Sequence, residues 1–156
     1  MATDIDRDHI AFLVGDLARH FRAAFERAIE TGEVGLTTSE ARVLSQVARC
    51  GPIRQSCLAD LLCVAPMSLS VFLDGLEKAG LVRRDPDPDD RRAKLVSLTG
   101  ASGPALERME TVGRRLRAAA LEGIAPEDRE KFSEVARQMR TNLETLRGLR
   151  AAEVEV

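Results

Sequence analysis

The sequence predicts a mainly α-helical protein with a small β-hairpin wing, a winged helix-turn-helix joined to a helical dimerisation bundle. Three observations lead there. Leu81 to Thr99 reads as two short strands around an Asp/Pro-rich turn with paired arginines at its tip. Two short helical patterns joined by a tight turn come directly before it, and long, narrow apolar stripes occupy both ends of the chain.

From about Ile5 to Thr31 the residues Ile10, Leu13, Leu17, Phe21, Ala24 and Ala28 recur at three- and four-residue steps, the spacing of one helical face. Gly32 and Gly35 end this helix. The next opens at Thr37-Thr38-Ser39-Glu40, a capping box in which Thr37 and Glu40 satisfy each other's backbone amides, and stops at Gly51-Pro52. A short helix follows over about Gln55 to Leu62, with Leu58, Leu61 and Leu62 expected to face inward. After the tight connection Val64-Ala65, Pro66 suits the first position of a helix, where a missing N–H costs nothing. That helix runs to Ala79 and buries Leu69, Phe72, Leu73 and Leu76; Gly80 and Leu81 are placed for a Schellman cap.

Val82 to Arg84 and Lys94 to Leu98 alternate apolar and polar residues and form the hairpin. Arginines on a hairpin held out from a helical body suit a DNA minor groove. A merely solvated charged hairpin is the plain alternative, because Asp85, Asp87, Asp89 and Asp90 nearly cancel the cations. After Thr99, one seam runs through Leu106, Met109, Gly113, Leu116 and Ala120, and a second through Phe132, Val135, Met139, Leu143 and Leu146, with a break at Ala125-Pro126. With the first helix they present more apolar surface than a compact winged helix covers, which fits a symmetric dimer; folding back as an intramolecular bundle is the alternative. Residues 1–35 and 100–150 are thus the dimerisation region and 36–99 the DNA-binding lobe of one intertwined domain, with 151–156 a tail.

The 156 residues suit one domain, and 44% hydrophobic with 31% charged residues is ordinary for a soluble globular chain. With Trp and Tyr absent and five Phe, the core must be aliphatic. No apolar run approaches the roughly 20 residues that cross a bilayer, and the N-terminus lacks the basic-then-apolar layout of a secretion signal, so the cytoplasm is expected and a membrane is not. An odd three cysteines argue against a disulfide framework. A net charge of −2 does not exclude nucleic acid, because binding depends on where the cations sit. There is no phosphate-binding glycine loop, nucleophile elbow or metalloprotease histidine pair, and catalysis and a cofactor are not expected. Asp16 and His20 lie one helical turn apart but lack a third ligand, which makes them a surface pair and not a metal site.

Several of these pieces together resemble the MarR family of dimeric winged-helix transcription regulators: Leu36-Thr37, Leu58-Ala59, Leu76-Glu77-Lys78-Ala79-Gly80-Leu81-Val82, Asp87-Pro88-Asp89-Asp90-Arg91-Arg92 and Leu98-Thr99, in that order and spacing. The resemblance covers nearly the whole chain. It implies a homodimer whose first, fifth and sixth helices interlock, reading a near-palindromic operator in double-stranded DNA and commonly released by a small aromatic ligand or an oxidant. It also implies that Arg92 enters the minor groove with Asp90 bracing the tip, and that His20 lines a cavity where relatives bind aromatic acids. Around that wing, Arg83, Arg84, Arg91 and Lys94 are expected on phosphates, as are Arg54, Gln55 and Ser56 at a helix N-terminus.

The recognition helix departs from the family. Relatives mostly carry basic residues where Val71 and Gly75 stand; this chain offers Met67, Ser68, Ser70, Val71 and Asp74. Hydroxyls pair with several base edges and Val71 can only touch a thymine methyl, so direct readout should be modest. The same departure leaves a second reading, a dimeric protein-interaction module that has lost DNA binding. Among the cysteines, Cys57 in a first helical turn near Arg54 suits a thiolate, and Cys50 with Cys57 is the one pair able to bridge. Cys57 and Cys63 share a helix at roughly 9 Å. Small packing residues are the plain reading of all three.

Overall fold

The computed structural model describes residue 6, residues 8–32 and residues 34–146; the expected helix start at Ile5 and the tail 151–156 lie outside them. These residues are mostly helical with one small antiparallel sheet. The order is α1 (Ile10–Glu30), α2 (Thr38–Cys50), β1 (Ile53–Arg54), α3 (Gln55–Leu62), α4 (Pro66–Lys78), β2 (Val82–Pro86), β3 (Lys94–Leu98), a 3-10 turn at Gly100–Ser102, α5 (Gly103–Ala120) and α6 (Pro126–Leu146).

Local chemistry sets most of these boundaries. At the start of α2 the Glu40 amide donates to Thr37 Oγ1 at 3.2 Å and the Thr37 amide to Glu40 Oε2 at 2.9 Å, completing the capping box. Helix α4 ends in the expected Schellman motif: the Gly80 amide donates to the Glu77 carbonyl and the Leu81 amide to the Leu76 carbonyl, with Gly80 at a φ of 71°. Between α3 and α4 the chain turns through 109°, inside the range of helix-turn-helix pairs. Cys63 makes that turn at a φ of 52°, a left-handed conformation more usual for Gly or Asn.

The core lies under this turn. Leu44 and Val47 of α2, Leu58 of α3, Leu69, Leu73 and Leu76 of α4, Val82 of β2 and Val96 of β3 are all buried. Burying each leucine contributes about 1.5–3 kcal/mol, so α3, α4 and the sheet form one packed unit. The sheet order is β1-β3-β2, with Ile53 opposite Val96 and Arg84 also opposite Val96. Strand β1 was not expected. Leu61 corrects another expectation, since it is 53% exposed and faces solvent while Leu58 and Ala59 supply the buried face of α3. On α5 the buried side chains are Ala105, Met109 and Val112; Leu106, Gly113 and Leu116 are half-buried and Ala120 is exposed.

Helices α1 and α6 look different. On α1 the residues Ile10, Leu13, Val14, Leu17 and Phe21 are exposed along one face, and α6 buries none of its residues although Phe132, Val135, Leu143 and Leu146 line one side of it.

Candidate nucleic-acid interface

The wing is a loop built on aspartates. Strands β2 and β3 pair from Val82–Leu98 to Pro86–Lys94, and the Asp87 amide closes the loop on the Ala93 carbonyl at 3.0 Å. Asp90 accepts the Arg92 amide at 3.0 Å on its carboxylate and the Ala93 amide at 2.8 Å on its carbonyl, so it shapes the backbone that presents Arg91 and Arg92. Arg91, Arg92 and Lys94 are exposed, and no carboxylate of the described residues pairs with them. The wing aspartates therefore do not all cancel its cations. Arg83 is exposed beside Asp85 at 3.2 Å.

Asp87 is the buried member of the group. Its carboxylate accepts the Asp89 amide at 2.8 Å and Arg54 Nε at 2.5 Å. These two bonds, the amide first, hold its pKa below the ordinary carboxylate range, while Asp87 in turn raises that of Arg54. Arg54 was expected on a phosphate. It occupies the N-cap of α3 without capping it and instead ties that helix to the root of the wing.

Arg84 corrects the same expectation more strongly. Its side chain is only 16% exposed, with Nη2 at 2.5 Å from Asp74 and 2.6 Å from Glu77, both on α4. Hydrogen bonding to Glu77 raises the Arg84 pKa, and Arg84 lowers that of Glu77. The guanidinium is a strut between recognition helix and wing. For Asp87 and Glu77 alike, the stabilisation is present above the ordinary carboxylate range and is lost as pH falls through their depressed folded-state values.

On α4 the outward face holds Met67, Ser68 and Val71. Ser70 is turned aside, its hydroxyl accepting from Gln55 Nε2 at 2.9 Å, which also occupies Gln55. Ser56 is exposed on the first turn of α3. A Cβ at Gly75 would lie 2.3 Å from Glu40 Oε1 of the capping box, so no side chain fits there while that box holds. Cys57 is exposed and Cys50 accepts a bond from Gln46 Nε2 at 3.2 Å; both are free thiols, and the Arg54 guanidinium beside Cys57 is engaged by Asp87.

A cleft of about 720 Å³ opens between α1, α2 and α5. Phe21, Phe25, Leu62, Leu106, Met109 and Leu116 give it apolar walls, and Arg22, Arg42, Arg49 and Arg117 stand around it. Arg42 donates to the Leu62 carbonyl and Arg117 to Glu110, whereas no carboxylate of the described residues pairs with Arg22 or Arg49. His20 is exposed and does not line the cleft, because it precedes Phe21 by about 100° around the helix. Asp16 pairs with Arg19, and His9 accepts the Ala11 amide at 3.3 Å as the N-cap of α1.

The ionic strut gives a test. Arg54→Ala is expected to weaken DNA binding by on the order of tenfold, the effect of one lost charged hydrogen bond. Anisotropy titrations at several salt concentrations should show an unchanged slope of log affinity against log salt. A slope flatter by about one per protomer would mean that Arg54 touches a phosphate after all.

Comparison with known proteins places these features in context. A sequence model of the MarR family matches residues 36–94, from the start of α2 to the first residue of β3. The crystal structure of the transcriptional regulator PA3341 is 30% identical over 88% of this chain and 99% of its own, with a TM-score of 0.73. A MarR-family regulator from Silicibacter pomeroyi is 26% identical over 86% of this chain and 89% of its own, with a TM-score of 0.73. A structure of MarR itself, 24% identical over 95% of this chain and 97% of its own, shares the fold with a TM-score of 0.75.

Proposed function

We propose that this chain, which belongs to the MarR family of transcription regulators, is a homodimeric repressor that leaves its operator when a small aromatic acid enters the α1–α2–α5 cleft. The observation that carries the DNA-binding half is the wing: Arg91, Arg92 and Lys94 project from a hairpin fixed by Asp87 and Asp90, and no carboxylate of the described residues pairs with them. Arg92 enters the minor groove, where negative potential is concentrated and a weakly hydrated guanidinium is favoured. Arg91, Lys94 and Arg83 meet flanking phosphates, and Ser56 with the first amides of α3 meets another. Met67, Ser68 and Val71 face the major groove.

The exposed stripes of α1 and α6 support the dimer. Soluble monomers rarely display apolar patches of that length, and stripes of this kind are what an intertwined partner would cover. Two lobes related by a two-fold axis then read half-sites about one helical turn apart.

For the signal, the cleft offers aromatic and aliphatic walls with Arg22 and Arg49 as counter-ions, which suits a carboxylate on an aromatic ring. It lies against α2, which packs on α4, so occupancy can move the recognition helix relative to the dimer helices. A gel shift on the chain's own upstream DNA tests the whole reading. A retarded band that disappears with a salicylate-like acid is expected, and Arg49→Ala should raise the acid concentration required by about tenfold, on the order of one charged hydrogen bond. A band that responds to peroxide and not to the acid would transfer the signal to Cys57, and no band at any salt would remove DNA from the function.

A further inference from the structure

We propose that the recognition helix selects its operator by apolar contact with thymine methyl groups, through Met67 and Val71, with no charged contact to a base. The inference rests on the DNA-binding reading above and specifies what that surface recognises.

Met67 is 84% exposed and Val71 66% exposed, whereas the other large apolar side chains of α4 are buried or half-buried. They stand four residues apart, so they share one face of the helix and are separated along it by about 6 Å. Both lie in its N-terminal half, the part that meets base edges in helix-turn-helix docking.

The neighbouring groups narrow what this face can read. In the C-terminal half Lys78 is exposed in the last turn, beyond the N-terminal part that meets base edges, and Arg84 of β2 is held there by Asp74 and Glu77 at 2.5 and 2.6 Å. Gly75 presents no side chain, and the Glu40 carboxylate occupies the space that one would need. Ser70 bonds to Gln55, which leaves Ser68 as the exposed hydroxyl between the two apolar residues. The N-terminal half of this face therefore has nothing to make a bidentate contact to guanine or adenine. The thymine 5-methyl is the one apolar group that a base pair presents in the major groove.

Burying one methyl group changes affinity by about fourfold. A spacing of about 6 Å spans nearly two base-pair steps of 3.4 Å, so each half-site should hold two thymines roughly two steps apart. Val71, stiff at χ1, should fix its thymine more strictly than the flexible Met67 fixes its own.

The experiment begins by selecting duplexes from a randomised library with the full chain, then remakes the best duplex with uracil in place of individual thymines, which removes only the methyl. Uracil at the contacted positions should weaken binding by about fourfold each and leave the salt slope unchanged. In the double variant Met67→Ala/Val71→Ala, which keeps the buried face of α4 intact, thymine and uracil duplexes should bind equally. Equal binding of both duplexes by the unaltered chain would overturn the inference while leaving the DNA-binding reading in place. Persistence of the uracil effect in the double variant would assign the methyl contact to other residues and overturn it too. If no duplex is enriched at low salt, both readings fall, and the exposed pair becomes a surface for a protein.

Discussion

Arg92→Ala is expected to remove specific DNA binding while leaving the fold intact. The side chain is exposed, and its backbone, not its guanidinium, makes the bond to Asp90 that shapes the tip. Alanine keeps that amide. Thermal unfolding should therefore stay close to that of the unaltered chain, since surface substitutions away from such features fall within about 0.5 kcal/mol. The loss in binding is larger because a symmetric dimer carries the change twice. At about 1–3 kcal/mol for each inserted arginine, two wings lose roughly 2–6 kcal/mol, a weakening of at least about thirtyfold.

Arg91→Ala makes the comparison informative. If Arg91 meets phosphate, its loss should weaken all sequences alike and flatten the salt slope by about one per wing, whereas Arg92→Ala should also reduce the preference for operator over random DNA. Anisotropy titrations on both duplexes separate the two. An Arg92→Ala protein that prefers its operator as strongly as the unaltered chain would take the minor-groove contact out of the mechanism.

How far the sequence reveals this site depends on the range of the interaction. The Thr37–Glu40 capping box, Pro66 at the start of α4 and the Gly80–Leu81 cap each involve residues at most five positions apart, and each was legible. Strand β1 was not, because two residues show no periodicity and Ile53 becomes a strand only by pairing with Val96. The two arginines held by carboxylates follow the same rule. Arg54 reaches Asp87 across 33 positions, and Arg84 meets Glu77 and Asp74 only after the chain reverses at Gly80. A cation next to a wing gives no sign in the sequence of whether it faces a phosphate or a carboxylate. His20 failed for a subtler reason, since one step around α1 separates the cleft wall at Phe21 from open solvent.

The stripe on α6 was read correctly as a set of residues, and its exposure now gives the substitution with the largest expected effect on assembly. Leu143 is 56% exposed and lies on one helical face with Phe132, Val135, Met139 and Leu146, while no residue of α6 is buried within the chain. Leu143→Glu should therefore leave the folded core of a single chain undisturbed. In the proposed dimer the same carboxylate enters an apolar seam, and an uncompensated buried charge costs about 3–5 kcal/mol. The dimer dissociation constant should rise by at least about a hundredfold. Light scattering at micromolar concentration should then show a monomer, with helicity retained, where the unaltered chain is a dimer. Leu143→Met, close in volume and apolar, should remain dimeric. DNA affinity should fall together with assembly, because a lone lobe reads one half-site and loses the gain from binding two on one duplex. A chain that is monomeric before any substitution, or a Leu143→Glu protein that still dimerises, would mean that the α6 stripe is covered by something other than a second copy.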